Sequence, residues 1–217
     1  LESGIGNVAV GFEALNAEDD GDHNTAIGYQ ALVAQTGTSG TVGNTALGYK
    51  AGESVLTGVR NTYIGSNAGQ KASGSAADDN TALGYQALQA NASGSNNVAI
   101  GAFALKLAHN VKDVVAIGRN TLGNLIASTD PLGTIAIGSA ALKELTTGAG
   151  NTAVGYQSGL ALTTGHNNVA IGNNALLNSQ DIGFAVAIGN SVMASGTMTS
   201  AADGTVAIGQ SALTTLT

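Results

Sequence analysis

Histidine is the first place to look for chemistry near neutral pH, because its unperturbed pKa lies there. The chain has three, His23, His109 and His166, far apart in sequence, with no H-x-x-x-H spacing and no cysteine to complete a zinc set. They read as surface histidines or as the ends of side-chain ladders. Hydrolysis needs clustered carboxylates, or a nucleophile beside a base. The acidic residues gather in Glu18-Asp19-Asp20-Gly21-Asp22 and, more weakly, in Asp78-Asp79. Asp19, Asp20 and Asp22 are weak candidates for a Ca²⁺ loop: they offer hard oxygen ligands but lack the closing glutamate of an EF-hand. A solvated acidic turn is the preferred reading. Gly148-Ala149-Gly150-Asn151 does not match the phosphate-cradling G-x-x-x-x-G-K-[ST] signature, and Asn91-Ala92-Ser93 is an isolated glycosylation sequon. From these residues we expect no catalytic residue, no cofactor, no cofactor-binding residue and no enzymatic activity.

One set of side chains is more informative. Phe12, Tyr29, Tyr49, Tyr85 and Tyr156 each follow a glycine directly. Such a column would present apolar rings with polar tips, which suits carbohydrate. The preferred reading is that the rings cap the edge of the fold beside each glycine.

Those glycines belong to a repeat. Aligned on its glycine, the block Asn24-Thr25-Ala26-Ile27-Gly28-Tyr29-Gln30-Ala31-Leu32 recurs at Gly11, Gly28, Gly48, Gly65, Gly84, Gly101, Gly118, Gly138, Gly155, Gly172, Gly189 and Gly209. The spacings are 17, 20, 17, 19, 17, 17, 20, 17, 17, 17 and 20. Repeats of this kind mean a stacked architecture, and no domain boundary interrupts residues 1–217. Both ends fall mid-repeat, so the chain is expected to be a fragment of a longer fibre protein.

The residue before the glycine is aliphatic in all twelve copies, and two residues earlier every copy is β-branched. Side chains alternate along a strand, so these two columns share one face. We expect that face to be the buried core stripe. Between them stands alanine in eleven copies, Ala9, Ala26, Ala46, Ala82, Ala99, Ala116, Ala136, Ala153, Ala170, Ala187 and Ala207, with Tyr63 the exception. Eight copies also place asparagine four residues before the glycine, which suggests coil-to-coil amide ladders. A bare Ala/Gly/Asn face implies close approach of a backbone layer or of another subunit, so these alanines are the subunit-interface candidates. The glycine itself reads as a corner with φ > 0 or a close backbone approach. After it comes a second apolar segment, as in Phe103, Leu105 and Leu107, whose period-two alternation predicts a second strand. Length changes fall in polar loops, among them residues 128–133 around the sole proline, Pro131.

The expected fold is therefore all-β: a parallel β-roll or β-solenoid of about twelve coils of 17–20 residues, roughly 55 Å long at about 4.8 Å per coil. Composition agrees. Glycine (32 residues) is in excess, charged residues are only 10% and aromatic residues 4%, yet 43% of the chain is hydrophobic, which suits thin layers rather than one thick core. A net charge of −7 argues against nucleic acid or anionic lipid as partner. No apolar run is long enough to insert this segment into a membrane.

The strand motif Asn97-Val98-Ala99-Ile100-Gly101, with Val186-Ala187-Ile188-Gly189 and Val206-Ala207-Ile208-Gly209, resembles the head repeats of trimeric autotransporter adhesins. The longer form in Asn24 to Leu32 and Asn80 to Leu88 is similar to repeats of phage tail fibres and of large secreted fibres. The repeat length departs from the adhesin head, where it is about 14 residues. The resemblance implies a left-handed, homotrimeric roll whose chains pack through their Ala-lined strands. It implies an extracellular fibre segment, most like a virion tail fibre, acting as rigid spacer and binding module for a host cell-surface glycan or protein. The alternative is the head of a bacterial trimeric autotransporter or secreted adhesin at the bacterial outer surface. A polysaccharide-degrading tailspike is the third reading. Ala99→Leu is expected to disrupt the trimer more than the strands, and Gly101→Val to destabilise the roll by more than about 1 kcal/mol.

Overall fold

Each repeat glycine is preceded by a β-branched residue, an alanine (Tyr63 in one copy) and an aliphatic residue, and in the computed structural model this triplet is the strand of its coil. The structure describes residues 4–36, 40–72, 77–125, 133–196 and 198–214; the proline of the 128–133 loop lies outside them. The strands are Val8–Val10, Thr25–Ile27, Thr45–Leu47, Thr62–Ile64, Thr81–Leu83, Val98–Ile100, Val115–Ile117, Ile135–Ile137, Thr152–Val154, Val169–Ile171, Val186–Ile188 and Val206–Ile208. They form one parallel sheet in sequence order. The fold is thus a parallel β-solenoid of about eleven turns. Its pairing keeps the repeat in phase, with Ala99 beside Ala82 and Ala116, and Ile100 beside Leu83 and Ile117. A short side ladder pairs Gly21–Asp22 with Gly40–Thr41.

The inward and outward faces are the reverse of the sequence expectation. The alanines point into the coil's own interior: Ala26, Ala46, Ala82, Ala99, Ala116, Ala136, Ala153 and Ala187 are fully buried, and Ala170 and Ala207 nearly so. Only Ala9, in the first described coil, is exposed. The β-branched and aliphatic columns face outward, half-buried or exposed. The physical reason is width. A coil of 17 to 20 residues encloses a narrow lumen, so a side chain aimed inward from the strand can be little more than a methyl.

Leucines from the opposite wall fill the rest of that lumen. Leu32, Leu88, Leu105, Leu122, Leu142 and Leu176, each four residues after a repeat glycine, are buried against the alanines. They do not form the expected second strand. That segment is a run of turns in which the second and fourth residues after the glycine take positive φ, as in Phe103 (62°) and Leu105 (49°). A left-handed leucine costs about 1–2 kcal/mol. Ladder bonds to both neighbouring coils offset it: the Phe103 N–H donates to the Tyr85 carbonyl (2.9 Å) and the Leu105 N–H to the Thr121 carbonyl (3.0 Å). Alternating right- and left-handed residues also point alternate side chains in and out, which is why the segment reads as a strand.

Eleven of the twelve corner glycines meet both reasons given for them, and Gly209, in the last coil, meets only the positive φ. Gly101 has φ 122°, and a Cβ there would lie 2.7 Å from the carbonyl carbon and oxygen of Gly118 in the next coil. The asparagine ladder forms inside the coil. The Asn80 Oδ1 accepts from the backbone N–H of Asn97 (3.1 Å) and from its Nδ2 (3.0 Å), while the Asn97 Nδ2 also donates to the Val111 carbonyl (2.8 Å). Asn44, Asn61, Asn151 and Asn168 repeat the pattern. Each amide thereby satisfies backbone groups that the turn leaves without a ladder partner.

Tyr63, the exception in the alanine column, is fully buried as well. Room for it is made on the opposite wall, where Gly52 and Gly69 stand in place of leucine. A Cβ on Gly52 would come 3.0 Å from the Tyr63 ring, and one on Gly69 would overlap it. One large inward ring thus replaces two leucines. Its hydroxyl is buried without a hydrogen-bond partner, and burial, with the charge of Asp78, pushes its pKa well above the usual phenol range.

Candidate functional site

The polar residues singled out from sequence are dispersed by the solenoid. His23, His109 and His166 are all exposed on different coils, and His166 packs edge-on against Phe184 with centroids 5.0 Å apart. Among the described residues no three His, Asp or Glu side chains group closely enough to hold a metal ion. The acidic stretch is split by orientation. Glu18 is not solvated but buried: its carboxylate accepts from the Gly21 N–H (2.7 Å) and from the Gln35 Nε2 (2.9 Å). Asp19 and Asp20 are exposed, and Asp22 caps the Ile5 N–H of the preceding coil (2.7 Å). Asp78 caps the Val59 N–H (2.9 Å), and Asp79 forms a fork with Arg60 at 2.6 and 2.7 Å. That Arg60 hydrogen bond holds the Asp79 carboxyl below its usual range.

Two other motifs have packing roles. Gly148 allows the close approach of the Gly165 carbonyl, and Gly150 takes φ 67°. The sequon residue Asn91 is buried, with its amide bonded to the N–H and carbonyl of Gly94 (both 2.8 Å). Sugar attachment there would require leaving the core.

What remains on the surface is an apolar stripe. Of the 24 outward positions of the twelve strands, 19 are Val, Ile or Leu and five are Thr, with no charge. The most exposed lie in the end coils, Ile208 (67%), Val206 (61%) and Val10 (56%), but the exposure continues through the middle at Leu47 (45%), Leu83 (44%) and Ile137 (36%). A parallel sheet face open to water normally carries long polar side chains or is covered, and an apolar patch running the length of a chain marks an interaction surface. The alanines are therefore corrected as interface candidates: ten of the eleven are consumed by the chain's own core, and the exposed aliphatic columns are the surface available to a partner. Alternation located both faces in the sequence, but both are apolar, so hydropathy did not say which was outside.

Beyond the corner runs the aromatic column. Phe12, Tyr29 and Tyr49 stack with centroids 5.3 and 5.4 Å apart and planes within 15°. They sit at the outer edge, about half exposed. Because they stack on one another at the coil spacing, they present edges to solvent and cover each other's faces. A carbohydrate needs an open face, so this part of the column packs rather than binds.

Further along, the same flank carries two depressions of about 270 and 380 Å³ that share Asn120 and Lys143 in their walls. Their residues come from four successive coils, and no sequence motif links them. The chain matches no protein-family model, no curated protein and no solved structure.

Proposed function

We propose that this chain is a non-enzymatic segment of an extracellular homotrimeric fibre, most like a phage tail fibre, serving as a rigid spacer and host-surface binding module. The observation that supports it is the uncharged outward stripe on twelve strands in register. Second and third copies of the chain, with the same stripe, cover it fully under closed symmetry. A ladder of backbone bonds linking every coil to the next gives the stiffness a spacer needs. The partners are then the chain itself and a host cell-surface glycan or protein. The net charge of −7 disfavours nucleic acid, and no helix among the described residues is long and apolar enough to cross a membrane.

A second reading, the head of a bacterial trimeric autotransporter or secreted adhesin, draws on the Val-Ala-Ile strands at Val98–Ile100, Val186–Ile188 and Val206–Ile208. Both readings share the trimer. Sedimentation equilibrium tests it: a mass three times that of the chain is expected, and a stable monomer at micromolar concentration overturns it. Release of reducing ends from host glycans would instead identify a polysaccharide-degrading tailspike.

A further inference from the structure

On the flank beyond the corners, the column that follows each glycine reads Arg119, Ser139, Tyr156 over three successive coils. At about 4.8 Å per coil, Arg119 and Tyr156 stand about 10 Å apart with a small serine between them. That notch is the larger of the two depressions, and Lys143 closes its side. The smaller one continues it past Asn120 to Lys106 and Phe103.

Its charge opposes that of the chain. Lys106, Arg119 and Lys143 are three of only seven basic residues in a protein of net charge −7. The one carboxylate in the walls, Glu144, is held by the Lys143 Nζ (2.9 Å) and the Asn124 Nδ2 (2.7 Å). Those bonds lower its pKa, so it stays ionised and is already neutralised. Lys106 lies over the Phe103 ring at 5.1 Å. Arg119 is exposed, and its guanidinium makes no hydrogen bond or ion pair among the described residues; only its backbone carbonyl is engaged, by the Ala140 N–H (2.9 Å). Tyr156 is also half exposed, and among the described residues no other ring stacks on it, unlike the rings of Phe12, Tyr29 and Tyr49.

A free guanidinium, an ammonium that keeps N–H donors beyond its Glu144 pair, and an open tyrosine face within one notch match a sugar ring that carries a carboxylate, the uncompensated positive charge being that of Arg119. Guanidinium and ammonium take the carboxylate through charge-assisted bonds, the tyrosine face takes the apolar side of the pyranose, and Asn120 supplies an amide for hydroxyls. We infer that this notch binds an acidic oligosaccharide, with Arg119 and Lys143 on its carboxylate and Tyr156 beneath its ring. The inference rests on the host-surface reading above and names its ligand class. A nucleic acid would bring a run of phosphates against the acidic remainder of the surface.

The test is calorimetric titration of the full chain, at low ionic strength, with tetragalacturonate, with a sialic acid trimer, and with the carboxyl-reduced tetramer. At least one acidic probe is expected to bind about tenfold more tightly than the neutral one. Arg119→Ala should remove most of that difference, Tyr156→Ala should weaken acidic and neutral probes alike, and Phe12→Ala should change neither. All three residues are exposed, so circular dichroism should show the fold intact. The inference is overturned if neither acidic probe binds, if charged and reduced sugars bind equally, if Arg119→Ala has no effect, or if duplex DNA or inorganic phosphate binds as well. Sedimentation separates the two readings: a trimer that ignores acidic sugars defeats only this inference, whereas a monomer that binds them defeats only the fibre.

Discussion

The inner and outer surfaces of the sheet are built from the same three-residue strands, yet they obey different constraints. Inside, Ala99 sits between Ala82 and Ala116 with no solvent exposure, and a leucine from the far wall fills what room is left. Outside, Ile100 lies between Leu83 and Ile117 and is only half covered. The inner face is selected by volume, so residues there change only in compensated groups, as Tyr63 does with Gly52 and Gly69. The outer face is selected by what comes to cover it. A change inside should therefore cost the fold, and a change outside should cost assembly.

The largest effect is expected at the corner. Gly101→Val must hold a β-branched residue at φ 122° and push a Cβ into the Gly118 backbone, which should destabilise the coil by about 4 kcal/mol. An unchanged melting temperature would show that the coils are not packed this closely. Tyr63→Ala should lose about 3 kcal/mol, because Gly52 and Gly69 cannot fill the cavity. Tyr63→Phe should melt as the parent does or slightly higher, since the buried hydroxyl has no partner; a large loss would reveal a missed partner. Ala99→Leu should cost about 2 kcal/mol of fold stability by overpacking, in place of the selective loss of trimer expected from sequence.

Ile137→Asp, on the outer face, should leave the fold of an isolated chain within about 0.5 kcal/mol while shifting sedimentation from trimer to monomer. Retained assembly would mean that the outward columns are not the interface. The smallest effect is acidic. Asp79 and Glu144 have folded pKa values lowered by Arg60 and by Lys143 with Asn124. Their contribution is complete above the ordinary carboxylate range and is lost as pH falls through the lower folded values. Melting temperature should therefore decline modestly below about pH 4. Because these pairs are largely exposed, the decline should shrink in high salt.

Much of the architecture was legible because it is written twelve times. The phase of the glycines gave the coil length, the strand triplets and the asparagine ladder, since identical residues at one position per coil must stack on themselves. The turn segment was not legible. Leu105 and Phe103 alternate as strand residues do, and the left-handed backbone that produces this alternation leaves no mark in residue type when leucine occupies it. The notch was invisible for another reason. Arg119, Lys143 and Tyr156 are unremarkable within their own repeats, and only stacking brings them together.

The sequence by itself determined that a corner, a strand and a ladder recur along the whole chain, because periodicity is a property of residue order. Tertiary structure alone decided which apolar face turns inward. Hydrophobicity favours burying either one, and the choice falls to the width of a lumen closed by 17 to 20 residues, which admits alanine from the strand and leaves valine and isoleucine outside.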